Sequence, residues 1–218
     1  MATKSKKRPV APKSPPAKKL PIWWILGGLV GIALIAAIAV SLSGETADPG
    51  VEVEMGSPTV SGDSLPPFSQ GAADAAIGMQ IPAVTGTNFD GQSVVIGPES
   101  GAAGIVFVAH WCSVCQQEVP AIQGWLDGGA TPAVPIYTVA TGIDRLKQNY
   151  PPWSWLEREG WTSPVLVDDA ADSVMQAFGG TAYPYFVFVN DRGEVVGRTV
   201  GGIGADALAG ALQFAASS

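Results

Sequence analysis

The six residues His110-Trp111-Cys112-Ser113-Val114-Cys115 hold both cysteines and the single histidine of a 218-residue chain. Two thiols separated by two residues can cycle between dithiol and disulfide, hold half of a metal site, or lock a short loop as a structural disulfide. A zinc site needs four ligands, or three and a water. Only His110 adds to the pair and no second ligand pair exists, so neither a metal nor another cofactor is expected. A structural disulfide suits an oxidising compartment, but this one would close a very short loop, where loop closure stabilises little. A peroxidatic cysteine of the peroxiredoxin kind has Thr or Ser where this chain has Ala109.

The redox reading depends on the elements that hold the pair. GIVFVAH, residues 104–110, is a short apolar run bounded by glycine, the form of a strand buried on both faces. Cys115, Val119, Ile122 and Leu126 then recur at helical spacing, and Gly128-Gly129 ends the helix. A strand, a short turn and a helix place Cys112 at the helix N-terminus, where unpaired N–H groups and the dipole favour a thiolate. Cys112 is therefore expected to attack, and the more buried Cys115, one turn on, to resolve the mixed disulfide.

The other elements follow from the same periodicities. Phe89-Asp90-Gly91-Gln92 reads as a hairpin turn into a strand at Val94-Val95-Ile96. Strands are expected at 134–140, 164–168, 185–190 and 194–200, the last two around the turn Asn190-Asp191-Arg192-Gly193. Helices are expected in part of 143–159, broken at Pro151-Pro152, and at 170–178 and 205–214. Strands alternating with helices, then a closing hairpin and helix, give an α/β fold with a mixed sheet.

Four parts are expected along the chain. Residues 1–21 form a basic disordered tail, with seven of the 12 Lys and Arg residues. Residues 22–43 contain the uncharged run IWWILGGLVGIALIAAIAVSL, long enough for a transmembrane anchor in the lipid bilayer. Residues 44–76, rich in Gly, Pro, Ser and acid, read as a flexible linker. Residues 77–218 form the folded domain. Basic residues before the run and acids after it set the N-terminus in the cytoplasm and the domain outside it. The rival is a signal peptide cleaved after the run. Beyond the tail, five basic residues face 19 acids, which argues against a nucleic acid partner.

VFVAHWCSVCQQEVP, the later Tyr183-Pro184 before YFVFV, and the hairpin at Gly193 together resemble the thioredoxin superfamily. The segment IGMQIPAVTGTNFDGQSVVI looks like the opening hairpin of its membrane-anchored TlpA/ResA-like branch, so the similarity covers residues 77–218. The resemblance implies a thioredoxin-like fold, a mixed central sheet flanked by helices, and a thiol–disulfide oxidoreductase. It implies that Pro184 is a cis-proline facing the dithiol and that the backbone of Tyr183 pairs with an extended substrate. It also implies that Glu118 helps move a proton at Cys115; no Lys or Arg stands at positions 114, 115, 121 or 122 to pair with it. Trp111 is expected to form a platform beside the sulfurs and Pro120 to kink the helix, while His110 reads as a loop histidine, with tuning of the thiolate as the alternative.

The expected function is reduction of disulfide-containing protein substrates outside the cytoplasm, with apocytochrome c in cytochrome c maturation as one client. The run 22–42 has no cysteine, so a separate membrane thiol carrier would supply electrons. Two alternatives stand beside it: an oxidase that donates disulfides to secreted proteins, and a binding or chaperone module with a structural disulfide.

Overall fold

The strand before the cysteines, β4 (Ala103–Val108), is buried along its whole length, and its side chains alternate between two cores. This fits a strand with structure packed on both faces. Ile105 and Phe107 enter one core with Val84, Leu166, Met175 and Phe178. Val106 and Val108 enter the other with Cys115, Val119, Ile122, Leu208 and Leu212.

The computed structural model describes residues 54–218. A small antiparallel sheet is built from β1 (Thr59–Ser61), β2 (Ala83–Thr87) and β3 (Ser93–Ile96). The other elements are α1 (Cys115–Asp127), β5 (Ile136–Ala140), α2 (Pro152–Arg158), β6 (Val165–Val167), α3 (Ser173–Ala177), β7 (Tyr185–Val189), β8 (Val195–Val200) and α4 (Gly204–Ser217). The main sheet has the order β6-β5-β4-β7-β8. β4 pairs in parallel with β5 and β5 with β6, whereas β7 runs antiparallel to both β4 and β8. This is the expected α/β architecture with a mixed sheet. Side chains of β7 alternate as those of β4 do, Tyr185, Val187 and Val189 to the first core and Phe186 and Phe188 to the second.

Two expectations are corrected. The linker reading of 44–76 fails over its described part, 54–76. Thr59–Ser61 pairs with β2, and Leu65 is buried. Gly56 donates its N–H to Asp168 O at 2.9 Å, so close that a Cβ on Gly56 would fall 1.9 Å from Val167 O. The buried guanidinium of Arg198 bonds Asp74 with two nitrogens and donates to Pro66 O at 2.9 Å. The folded domain thus starts well before residue 77. The partial helix expected in 143–159 is confined to Pro152–Arg158. Residues 142–150 form a loop, with left-handed φ at Gly142 and Asn149, and with Asp144 N–H bonded to the His110 ring.

The expected tail, the apolar run 22–43 and residues 44–53 lie outside the described residues. Among the described residues no helix is long and apolar enough to cross a membrane.

Candidate active site

Past the end of β4 the chain turns once, with Cys112 N–H donating to Ala109 O at 3.0 Å, and α1 begins at Cys115. The two cysteines are free thiols in unequal settings: Cys112 is partly exposed and Cys115 is completely buried. Cys112 Sγ accepts the N–H of Cys115 at 3.4 Å and donates to Tyr183 O at 3.5 Å. The first thiol therefore sits between a helix-start amide and a backbone carbonyl, open to a partner. The second lies among Val106, Val108, Val119 and Phe186. Burial, and then the neighbouring Cys112, push the Cys115 thiol far above the ordinary thiol range.

Tyr183 comes from the loop before β7, and the Tyr183-Pro184 peptide is cis. So is Tyr150-Pro151. The Tyr183 ring meets Trp111 edge to face, with centroids 5.8 Å apart. Trp111 Nε1 donates to Gly142 O at 2.6 Å, and Lys147 Nζ stands 5.9 Å from the Trp111 ring centroid. Gly142 has φ +59°, and a Cβ there would approach Tyr183 OH to 3.0 Å, so both conformation and space call for glycine. Burial first, then the Asp172 carboxylate, push the Tyr183 phenol up to about 12. Asp172 Oδ1 in turn accepts from Gly142 N at 2.8 Å and Thr141 Oγ1 at 3.2 Å. Trp111 and Cys112 thus both meet Tyr183, whose chain neighbour is Pro184.

His110 is bonded to the loop 142–150 through both ring nitrogens. Its ring is buried, with Nδ1 donating to Gln148 O at 2.7 Å and Nε2 accepting from Asp144 N at 3.2 Å. That pattern fixes a neutral ring with the proton on Nδ1, and burial lowers its pKa. Its carbonyl accepts from Gln116 and Asn149 side chains, so His110 ties the turn before Cys112 to the loop 142–150.

Glu118 is buried, and its hydrogen bonds run to the last helix. Its Oε1 accepts the N–H groups of Ile203 at 2.9 Å and Gly204 at 2.8 Å, satisfying orphan donors at the start of α4. None of its hydrogen bonds reaches Cys115. The carboxylate joins the cysteine helix to the last helix, which differs from the proton-transfer role expected of it. Gly142, Thr141 and Asp172 were missed in the sequence. Their only signal was the Thr-Gly turn ending β5, which says nothing about Asp172 thirty residues on.

No family model and no curated protein matches the chain. Solved structures do match. One is the thioredoxin domain of a thiol-disulfide oxidoreductase from Bacteroides vulgatus, at 21% identity and a TM-score of 0.52, covering 65% of this chain and 98% of that one. Another is described as the thiol:disulfide interchange protein DsbE from Chlorobium tepidum, at 18% identity and a TM-score of 0.53, covering 64% and 96%. The described part of the chain has the thioredoxin-like fold that these structures share.

Proposed function

We propose that this chain is a thiol–disulfide oxidoreductase acting on disulfide-containing proteins. The observation that carries this reading is the asymmetry of the pair, with Cys112 reachable and Cys115 buried behind it. Cys112, as thiolate, attacks a sulfur of the substrate disulfide. The new Cys112–substrate bond forms as the old S–S bond breaks, and the departing sulfur takes a proton. Cys115 then gives up its proton and attacks Cys112 Sγ, which releases the second substrate thiol and leaves the Cys112–Cys115 disulfide. Two electrons pass to the substrate. The names carried by the two solved structures agree with this chemistry. Turnover of insulin disulfides by the full chain in detergent, with dithiothreitol as electron source, tests it. Turnover should vanish in Cys112→Ser; an inactive parent chain would favour a binding module with a structural disulfide.

The direction we propose is reduction. Ser113 and Val114 between the cysteines carry no charge, and His110 is neutral and held away by Gln148 and Asp144. A reduction potential below about −200 mV is expected, nearer thioredoxin than DsbA. A midpoint near −120 mV in glutathione buffers would instead make the chain an oxidase. The anchor at 22–43, the extracytoplasmic domain, a membrane thiol carrier as electron source and a client in cytochrome c maturation complete the proposal. They rest on the uncharged run, its flanking charges and the sequence resemblance.

A further inference from the structure

A cleft of about 330 Å³ opens beside the edge strand β6, at its N-terminal end, two strands from the strand that leads to the cysteines. Its walls carry three aromatic side chains from three elements: Phe89 from the β2–β3 turn, Trp153 from α2, and Trp161 from the segment before β6. Leu156, which is buried, and Val165 complete the apolar surface. Two carboxylates, Asp90 and Glu157, stand on exposed residues at the same cleft. Neither forms an ion pair with any described residue. Trp161 Nε1 is already bonded to Thr138 Oγ1 at 2.9 Å, so the indole has no free donor to offer a ligand.

Aromatic side chains and carboxylates without an ion-pair partner line one opening and make the same demand. They attract a cation that is flat, weakly hydrated and able to donate hydrogen bonds at its edge. A guanidinium stacks on aromatic rings and forks onto carboxylates, whereas an ammonium is a strongly hydrated point charge. The surrounding charge favours the same ligand, since five basic residues face 19 acids beyond the N-terminal tail. We propose that this cleft is a docking site for an arginine side chain displayed by a partner protein, separate from the dithiol. The site would hold a partner by a residue remote from its cysteines.

The test uses the full chain in detergent and three tripeptides, acetyl-Gly-Arg-Gly-amide and its citrulline and lysine counterparts. Citrulline keeps the planar shape and loses the charge. Indole N–H resonances of Trp153 and Trp161 should shift with the arginine peptide and stay in place with the citrulline peptide. Glu157→Gln should weaken arginine binding by about fivefold, the upper value for one exposed ion pair. Both acids are exposed, so Asp90→Asn with Glu157→Gln should remain folded and abolish the shifts. Equal shifts from the arginine and citrulline peptides, equal binding of the lysine peptide, or no shift at these two indoles would each overturn the assignment.

Discussion

Cys112 Sγ and Tyr183 O stand 3.5 Å apart across 71 residues of sequence. The contact brings the end of β4 and the start of β7 to one point, and those strands are neighbours in the sheet. The exposed sulfur is therefore held beside backbone from a second element. Beside it, Tyr183 and Trp111 pack edge to face.

Glu118 should prove a structural joint. Glu118→Gln keeps an acceptor oxygen for Ile203 and Gly204, so it should lower stability only slightly and leave the pH profile of exchange unchanged. Glu118→Ala strands two N–H groups at a part-buried helix start and should cost about 1–3 kcal/mol. Urea unfolding of both variants measures this. A shifted pH profile in Glu118→Gln with unchanged stability would restore the proton-transfer role.

His110 makes stability fall in mild acid. Its folded pKa lies below the ordinary 6.5, so the unfolded chain binds the proton more tightly. The contribution is complete above 6.5 and is lost as pH falls from there through the lowered folded value. Protonation would also put a second N–H on Nε2, facing the N–H of Asp144. The charged and titratable groups nearest are Asp144 and Tyr150, the latter bonded to Glu54, which pairs with Arg145. Thermal unfolding between pH 7.5 and 5.0 should show a loss that His110→Asn flattens.

Asp74 and Arg198 should be strongly coupled. Removing one partner leaves the other charge in the interior, at a cost of about 3 kcal/mol. The Arg198 guanidinium beside Asp74 holds its carboxyl below the usual range. That stability is complete above the ordinary 3.8 and disappears as pH falls through the lowered folded value. Chemical unfolding of Asp74→Asn and Arg198→Met, with the double variant less destabilised than the two single losses added together, checks this.

These pairings also mark how far the sequence could be read. β4, α1, β5 and the closing hairpin announced themselves because their apolar periods are local. The cysteine pair and Tyr183-Pro184 were legible as motifs. Residues 54–76 were misread because their composition is that of a linker, while what holds them is remote: Arg198 for Asp74, and the Asp168 carbonyl just past β6 for Gly56. The loop 142–150 was partly misread as helix because Gly142 and the His110 ring act on it from outside its own pattern. Glu118 looked free to serve the thiols because its true partners are backbone N–H groups some 85 residues later. Short-range chemistry could be read in the sequence, and long-range polar partnership could not.

The central claim is that Cys112 attacks and Cys115 resolves. Cys115→Ser and Cys112→Ser full-length chains, each mixed with a disulfide-bonded protein substrate and quenched with acid, should differ in what they retain. The account predicts a stable mixed disulfide through Cys112 in Cys115→Ser, seen as a mass adduct, and little or none in Cys112→Ser, whose remaining thiol is buried and strongly protonated. Equal adducts in the two variants, or an adduct confined to Cys115, would contradict it.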